Sequence, residues 1–284
     1  MKKFENVLLV TDVDGTLIDD NAEIGADNLA AIEYFRQQGG IFTIATGRGQ
    51  QMAQCIIDEL PTDVPAVIFN GAAVYDYVKD DFVWQSSLQT VGAKYLRDFL
   101  DEFPDVCAEY LCGKDVYVVR KNGLEEEHLR LGNIKPIICE LEDIPIEQGL
   151  KALIIAEPHI IEKAYTGIKD RHYDTVNWVR SAPQYLELLP KGTSKGDGML
   201  KLIELRDLSD YTIVAAGDYL NDLEMVEYAD IGFATSNAHP DLIAVADYVC
   251  NDNNHAAIAD IIDKLDRGDI ELHKGKGEKG AVIL

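Results

Sequence analysis

Two aspartates one residue apart, Asp12 and Asp14, stand at the end of an apolar run in VLLVTDVDGTL, Val7 to Leu17. Residues two apart in an extended backbone point the same way, so both carboxylates can converge on one hard cation. Gly15 lets the chain turn there and leaves backbone N–H groups free to meet an anion. The same pattern also occurs in ordinary acidic turns, so its surroundings must decide.

Three more polar groups share that setting. They are Thr46-Gly47-Arg48, Lys195 within KGTSKG, and Gly217-Asp218-Tyr219-Leu220-Asn221-Asp222. Phosphoryl transfer needs a nucleophile, a metal to neutralise charge, donors to the phosphoryl oxygens and a cation. Asp12/Asp14, Thr46, Lys195, and Asp218 with Asn221 and Asp222 can fill those roles. Oxygen-only ligands suit Mg2+ and not zinc. Each group also has a plainer reading. Thr46 can simply close a strand, Lys195 can be a surface lysine, and Asp218 a turn residue or helix cap. Asn221-Asp222 can cap the next helix, and Asn70-Gly71 is a common turn pair.

The elements around these groups favour the chemical reading. Val7 to Val10, Ile41 to Ala45 and Ala66 to Phe69 are short apolar runs, as in buried parallel strands. Between them, Ala26 to Gln38 and a segment ending near Leu60 have helical spacing, the first closed by Gly39-Gly40. Strand alternating with helix predicts an α/β, doubly wound parallel sheet, whose ligands gather at the carboxyl ends of the strands. From about Val83 the rhythm changes. Thr90 to Phe103 reads as helix, and Val106 to Tyr110 with Val116 to Arg120 as a hairpin turning at Gly113. Glu125 to Glu127 read as a solvated helix start, Leu150 to Ala156 as a strand, and Pro158 to Lys169 as a helix opened by proline. Val176 to Val179 and Tyr185 to Leu189 are strands again. An α+β insertion over 84–188 follows, with the core in 1–83 and 189–284. The core pattern resumes with a helix from Ser194 to Leu205, Ser194 its N-cap, and strands at Thr212 to Ala216 and Ile231 to Ala234. Ala256 to Leu265 is a closing helix that Asn254 can cap. Arg267 to Leu284 reads as a loose Lys/Gly-rich tail.

Composition narrows the partners. The 284 residues are 47% hydrophobic and 27% charged, a globular mixture. No apolar run reaches the roughly 20 residues of a membrane-spanning helix. The opening MKKFENVLLVTDVDG is too short in apolar residues for a signal peptide, so the expected compartment is the cytoplasm. Five cysteines without a Cys-x-x-Cys pair fit free thiols in a reducing compartment. The net charge of −24 repels nucleic acid and anionic lipid, so neither nucleic acid nor membrane is an expected partner. It repels anionic substrates too, so a phosphate site must be built from local donors.

Taken together, VTDVDGTL, ATGR, the lysine of KGTSKG and GDYLND resemble the four motifs of the haloacid dehalogenase superfamily. FNGAAVYD, SNAHPDL and ADYVCNDNNHAAIADII resemble its Cof-type sugar-phosphatase branch, in which a cap follows the third core strand. The resemblance covers roughly residues 1–83 and 189–265; in the insertion it extends only to size and element pattern. It implies that Asp12 attacks the phosphoryl group and becomes an aspartyl phosphate. Asp14 would protonate the leaving oxygen and then activate water. Thr46, Gly47, Lys195 and Asn221 would bind phosphate. Mg2+ would be held by Asp12, the Asp14 main-chain carbonyl and Asp218, with Asp222 supporting. The implied partner is a small phosphorylated metabolite, and the implied core is Rossmann-like with an inserted cap.

Three other functions compete. A phosphomutase of the same superfamily would share every motif and differ only in returning the phosphoryl group to a sugar. A phospho-accepting signalling module also uses acids, a Thr and a Lys, but needs no insertion of about 100 residues. A catalytically dead binding protein fits less well, because no motif residue is missing. In the insertion, Tyr117, Arg120, His172, Arg180 and Tyr185 are candidates to face the leaving group. Oligomeric state is not legible.

Overall fold

A computed structural model describes residues 2–132, 134–145 and 148–272. Its centre is the strand β1 (Val7–Thr11), buried along its whole length. Leu9 and Val7 face the cluster that includes Ile32 and Phe35, whereas Leu8 and Val10 face Met199, Leu202 and Met225. A strand covered on both faces needs apolar residues at every position, which is why VLLV does not alternate. Each such side chain contributes roughly 1.5–3 kcal/mol of burial.

The first unit continues through α1 (Ala26–Gln37), β2 (Ile41–Ile44), α2 (Gln50–Glu59) and β3 (Ala66–Ile68). β3 then turns back through β4 (Ala73–Asp76) and β5 (Asp81–Gln85) as an antiparallel extension. The sequence pattern did not separate these two strands from the turn at Asn70-Gly71.

Next comes an inserted α+β layer. It holds α3 (Gln89–Glu102), β6 (Cys107–Cys112), β7 (Asp115–Arg120), α4 (Glu125–Leu131), β8 (Ile137–Ile138), β9 (Gly149–Ile155), α5 (Pro158–Ile168), β10 (Val176–Ala182) and β11 (Tyr185–Pro190). Its sheet has the order β10-β11-β9-β6-β7-β8. Ala108, Tyr110, Ala152, Ile154, Leu186 and Leu188 face α3 and α5. The alternate residues Cys107, Leu111, Leu153, Ile155 and Leu189 belong instead to the cluster shared with the parallel-sheet layer. This face, set by the two-residue period of the strands, looks toward the core.

The core is completed by α6 (Lys195–Leu205), β12 (Thr212–Gly217), α7 (Leu223–Tyr228), β13 (Ile231–Thr235), α8 (Pro240–Val245), β14 (Tyr248–Cys250) and α9 (Ala257–Arg267). The parallel sheet runs β14-β13-β12-β1-β2. Successive strands step outward one way from β1 and the other way from β12, so the order reverses between them, and ligands bind at such a point.

Three local expectations fail. Asn254 does not cap α9. It lies in a single turn capped by Asp252, and Ala256, in a left-handed conformation, precedes the helix. Glu125 is not solvated: it is buried and accepts the N–H groups of Asn122 and Gly123. The start of the expected loose tail is packed, with Ile270 buried against the core. The tail from residue 273 lies outside the described residues.

Candidate active site

The carboxyl end of β1 delivers Asp12 to the switch point, where its N–H donates to Ala216 O of β12 at 2.9 Å. Its side chain is buried, and Oδ1 accepts from Lys195 Nζ at 2.5 Å. Lys195 is the first residue of α6, and Ser194 Oγ caps that helix by accepting the Asp197 N–H at 3.1 Å. Only 1% of the lysine is exposed, so it is not a surface residue. Its ammonium also donates to Asp222 Oδ1 at 2.6 Å.

Both oxygens of Asp222 are engaged. Its Oδ2 takes the N–H groups of Asp218 and Tyr219 at 3.0 and 3.1 Å, which folds the loop after β12 into its tight turn. Asp218 sits opposite Asp12, and Thr16 Oγ1 donates to its Oδ1 at 3.2 Å. Asp12, Asp218 and Asp222 lie close enough to hold a metal ion together. Asp222 already accepts three hydrogen bonds, so Asp12 and Asp218 are the less committed carboxylates, an all-oxygen set suited to a hard cation such as Mg2+. Gly15, at φ +80°, makes this possible: a Cβ there would stand 2.5 Å from Asp218 Oδ2.

Electrostatics follows from burial and crowding. Burial pushes the Asp12 carboxyl well above its usual range, with Asp222, Asp218 and Asp14 adding to the rise against the opposing Lys195. Burial alone would lower the Lys195 pKa, but Asp12 and Asp222 overcome it and raise it. Burial, then Asp222, raises Asp218 to about 7. One buried cation thus serves several acids, and the cluster is short of positive charge.

Asp14 is placed differently. Its side chain is 59% exposed and turns to Arg48, whose Nη2 and Nε reach Oδ1 and Oδ2 at 2.7 and 2.9 Å. Thr46 is fully buried at the end of β2, and its Oγ1 accepts the Arg48 N–H at 3.1 Å. Gly47 is held through its carbonyl by Lys151 Nζ at 2.7 Å. Asn221 is buried and donates to Asn70 Oδ1 at 2.9 Å. Gly71, at φ +89°, lets this corner pack on α6, because a Cβ would fall 1.8 Å from Ser194 O.

Asp12, Lys195, Asp218 and Asp222 therefore form one cluster. Thr46, Gly47 and Asn221 line the neighbouring strand ends, and Asp14 lies at the rim with Arg48. Sequence reasoning missed Lys151 and Glu187 of the inserted layer and read Asn70 only as a turn. Lys151 and Glu187 are each a single charged residue in an otherwise apolar strand, and no local signal says what it faces.

Most candidate residues of the insertion lie elsewhere. Tyr117 packs with the cluster under α3 and α5, and Arg120 donates to Leu100 O and Phe103 O. His172 pairs with Asp174 in solvent, and Arg180 pairs with Glu162 over the Tyr165 ring. Tyr185 alone of the five is on the core-facing side, its ring edge on His128. A cleft of about 670 Å³ opens between α2 and the β6–β7 turn, lined by Gln51, Cys55, Asp58, Lys114 and Lys135 among others. None of the acidic cluster lines it, so the chemistry and not this cleft locates the site. Among the described residues, no helix is long and apolar enough to cross a membrane.

Comparison with known proteins gives this geometry a family. A Streptococcus pyogenes protein is 28% identical over 268 residues, covering 90% of this chain and 97% of its own. The 5-amino-6-(5-phospho-D-ribitylamino)uracil phosphatase YitU of Bacillus subtilis is 26% identical over 89% of this chain and 94% of its own. The solved structure of the HAD subclass IIB sugar phosphatase BT4131 superposes with a TM-score of 0.78 over 92% of this chain and 99% of its own, at 20% identity. A family model described as haloacid dehalogenase-like hydrolase matches residues 9–262. The chain belongs to the haloacid dehalogenase-like hydrolases.

Proposed function

We propose that the protein is a Mg2+-dependent phosphatase that hydrolyses small phosphomonoesters, sugar phosphates or related metabolites, through an aspartyl phosphate on Asp12. The observation that carries this reading is the buried Asp12 carboxylate, gripped by Lys195 and faced by Asp218 at the sheet's switch point. A divalent cation held by Asp12, Asp218 and the Asp14 main-chain carbonyl would neutralise phosphoryl charge and keep Asp12 ionised.

The residues then divide the work. An Asp12 oxygen bonds to phosphorus as the ester P–O bond breaks. Asp14 gives its proton to the leaving oxygen, then takes one from the water that cleaves the aspartyl phosphate. Lys195 keeps a third N–H for a phosphoryl oxygen, its other two going to Asp12 and Asp222. Thr46 accepts from Arg48, so its own hydroxyl hydrogen can donate to phosphate. Asn221 adds an amide at the same rim. The inserted layer acts as a cap that excludes water and selects the leaving group. The phosphatase names of the relatives, at 25–26% identity, support small phosphorylated substrates. Free cysteines, exposed at Cys55 and buried at Cys107, Cys112 and Cys250, support a reducing, cytoplasmic setting.

The test is phosphate release from a panel of phosphorylated sugars, nucleotides and cofactors, with and without Mg2+. Metal-dependent release from at least one small phosphomonoester is expected. Isomer formation without phosphate release would replace this reading with a mutase.

A further inference from the structure

One buried ion pair of the inserted layer reaches the loops that carry Gly47 and Asn70. Lys151 of β9 and Glu187 of β11 lie on the core-facing side of their sheet, 3.0 Å apart and both nearly inaccessible. Lys151 Nζ donates to the Gly47 carbonyl at 2.7 Å. Glu187 Oε2 accepts Asn70 Nδ2 at 2.5 Å, and Oε1 accepts Ser181 Oγ at 2.6 Å.

We propose that Lys151 and Glu187 are positioning residues: from across the interface they set the two groups that receive the phosphoryl oxygens. This rests on the phosphatase reading above. The argument is one of peptide geometry. The Gly47 carbonyl and the Arg48 N–H belong to one planar trans unit and point in opposite directions. Lys151 fixes the carbonyl, and the N–H is thereby aimed at Thr46 Oγ1, 3.1 Å away. With that oxygen already an acceptor, the hydroxyl hydrogen is committed outward to substrate. Glu187 does the same for the second group. It takes the Asn70 amide N–H, which leaves Asn70 Oδ1 to accept from Asn221 Nδ2 at 2.9 Å and fixes the Asn221 amide. The Thr46 and Asn221 donors are thus oriented from across the interface, whereas Lys195 is held within the core. A lysine buried with a carboxylate gives this grip a defined direction, which apolar contact would not.

A double-mutant cycle on p-nitrophenyl phosphate with Mg2+ tests the relay. Lys151→Met is expected to lower kcat about tenfold, the scale of one misdirected hydrogen bond in a site. Thr46→Val should do likewise. If Lys151 acts through Thr46, the double variant is no worse than Thr46→Val within about threefold. Multiplying losses, or an unchanged kcat in Lys151→Met, overturn the relay. Because Lys151→Met strands a buried carboxylate, the cycle is run in a Glu187→Met background, with Lys151→Met/Glu187→Met as the paired variant, if the single variant does not fold. A readout independent of turnover is hydrogen exchange at the Arg48 amide. It should quicken at least tenfold in the paired variant, and unchanged protection there would also overturn the proposal. Inert wild-type protein would instead count against the phosphatase reading, with the exchange result still deciding the relay.

Discussion

Asp14 and Arg48 are joined by a two-pronged ion pair at the rim of the site, while Asp12, two residues away, is buried against Lys195. A single Asp-x-Asp step thus places one carboxylate in a desolvated setting and the other at the solvent-facing rim. In the mechanism proposed above, bond formation belongs to the first setting and proton transfer to the second.

Replacing Asp14 by Asn should therefore cost rate and little else. We expect kcat to fall roughly 10²–10⁴-fold, the scale of general acid–base assistance. Stability should change by about 1 kcal/mol or less, since the Asp14 side chain stands largely in solvent. Steady-state kinetics with thermal denaturation checks both. A variant at wild-type turnover would remove Asp14 from the mechanism.

Asp12→Asn should abolish turnover by removing the nucleophile. Burial and three neighbouring acids already disfavour the ionised Asp12, so in metal-free protein the amide relieves repulsion. The expected metal-free Tm is equal to or above that of the wild type, with Mg2+ no longer raising it. Calorimetry with and without chelator measures this; a metal-induced rise equal to the wild type's would contradict the ligand role.

The Asp218 carboxyl, raised to about 7 in metal-free protein, gives a signed pH dependence. Its usual value is 3.8, so the folded chain holds this proton where the unfolded chain has lost it. The group's contribution to metal-free stability falls as pH rises from about 4 to about 7. Cation binding must displace the same proton. Affinity for Mg2+ should climb as pH rises through 7, with proton release that titration calorimetry detects as a buffer-dependent heat. A pH-independent affinity from pH 6 to 8 would rule this out.

Gly71→Ala should be among the most damaging single changes. The new methyl would meet Ser194 O at 1.8 Å, at a backbone φ of +89° that L-residues avoid. Strain and overpacking together predict about 3 kcal/mol or more of destabilisation. Because Ser194 caps the helix that carries Lys195, activity should fall further than stability alone predicts. Chemical denaturation and residual kcat test this, and a variant within about 0.5 kcal/mol of wild type would exclude the close packing.

Much of the core was legible because its signals are local. Val7 to Val10 announces a strand buried on both faces, and the polar turns after β1, β2 and β12 are short and adjacent to it. Lys195 was legible only by association: nothing in KGTSKG says that its ammonium is buried, because the acids that hold it are 27 and 183 residues away. Arg48 and Asn70 were quoted within motifs without their partners for the same reason. The strands β4 and β5 were hidden by the Asn70-Gly71 turn signal. Lys151 and Glu187 look like outward polar positions of half-exposed strands. They are buried because a second layer covers that face, and strand periodicity carries no information about what lies opposite.

The pairing of β1 with β12 has a consequence for how the protein is made. Val7 lies opposite Thr212, about 200 residues later. At about 5–20 residues per second, the ribosome takes roughly 10–40 s to deliver that partner. Until then this buried strand can be paired on one edge only, by β2. The entire insertion is synthesised in that interval, and its own sheet pairs nearby segments and can close first. The nascent chain therefore carries a finished outer layer before it has a complete centre. Lys195, Asp218 and Asp222 all emerge after the insertion, so Asp12 is made long before the groups that surround it.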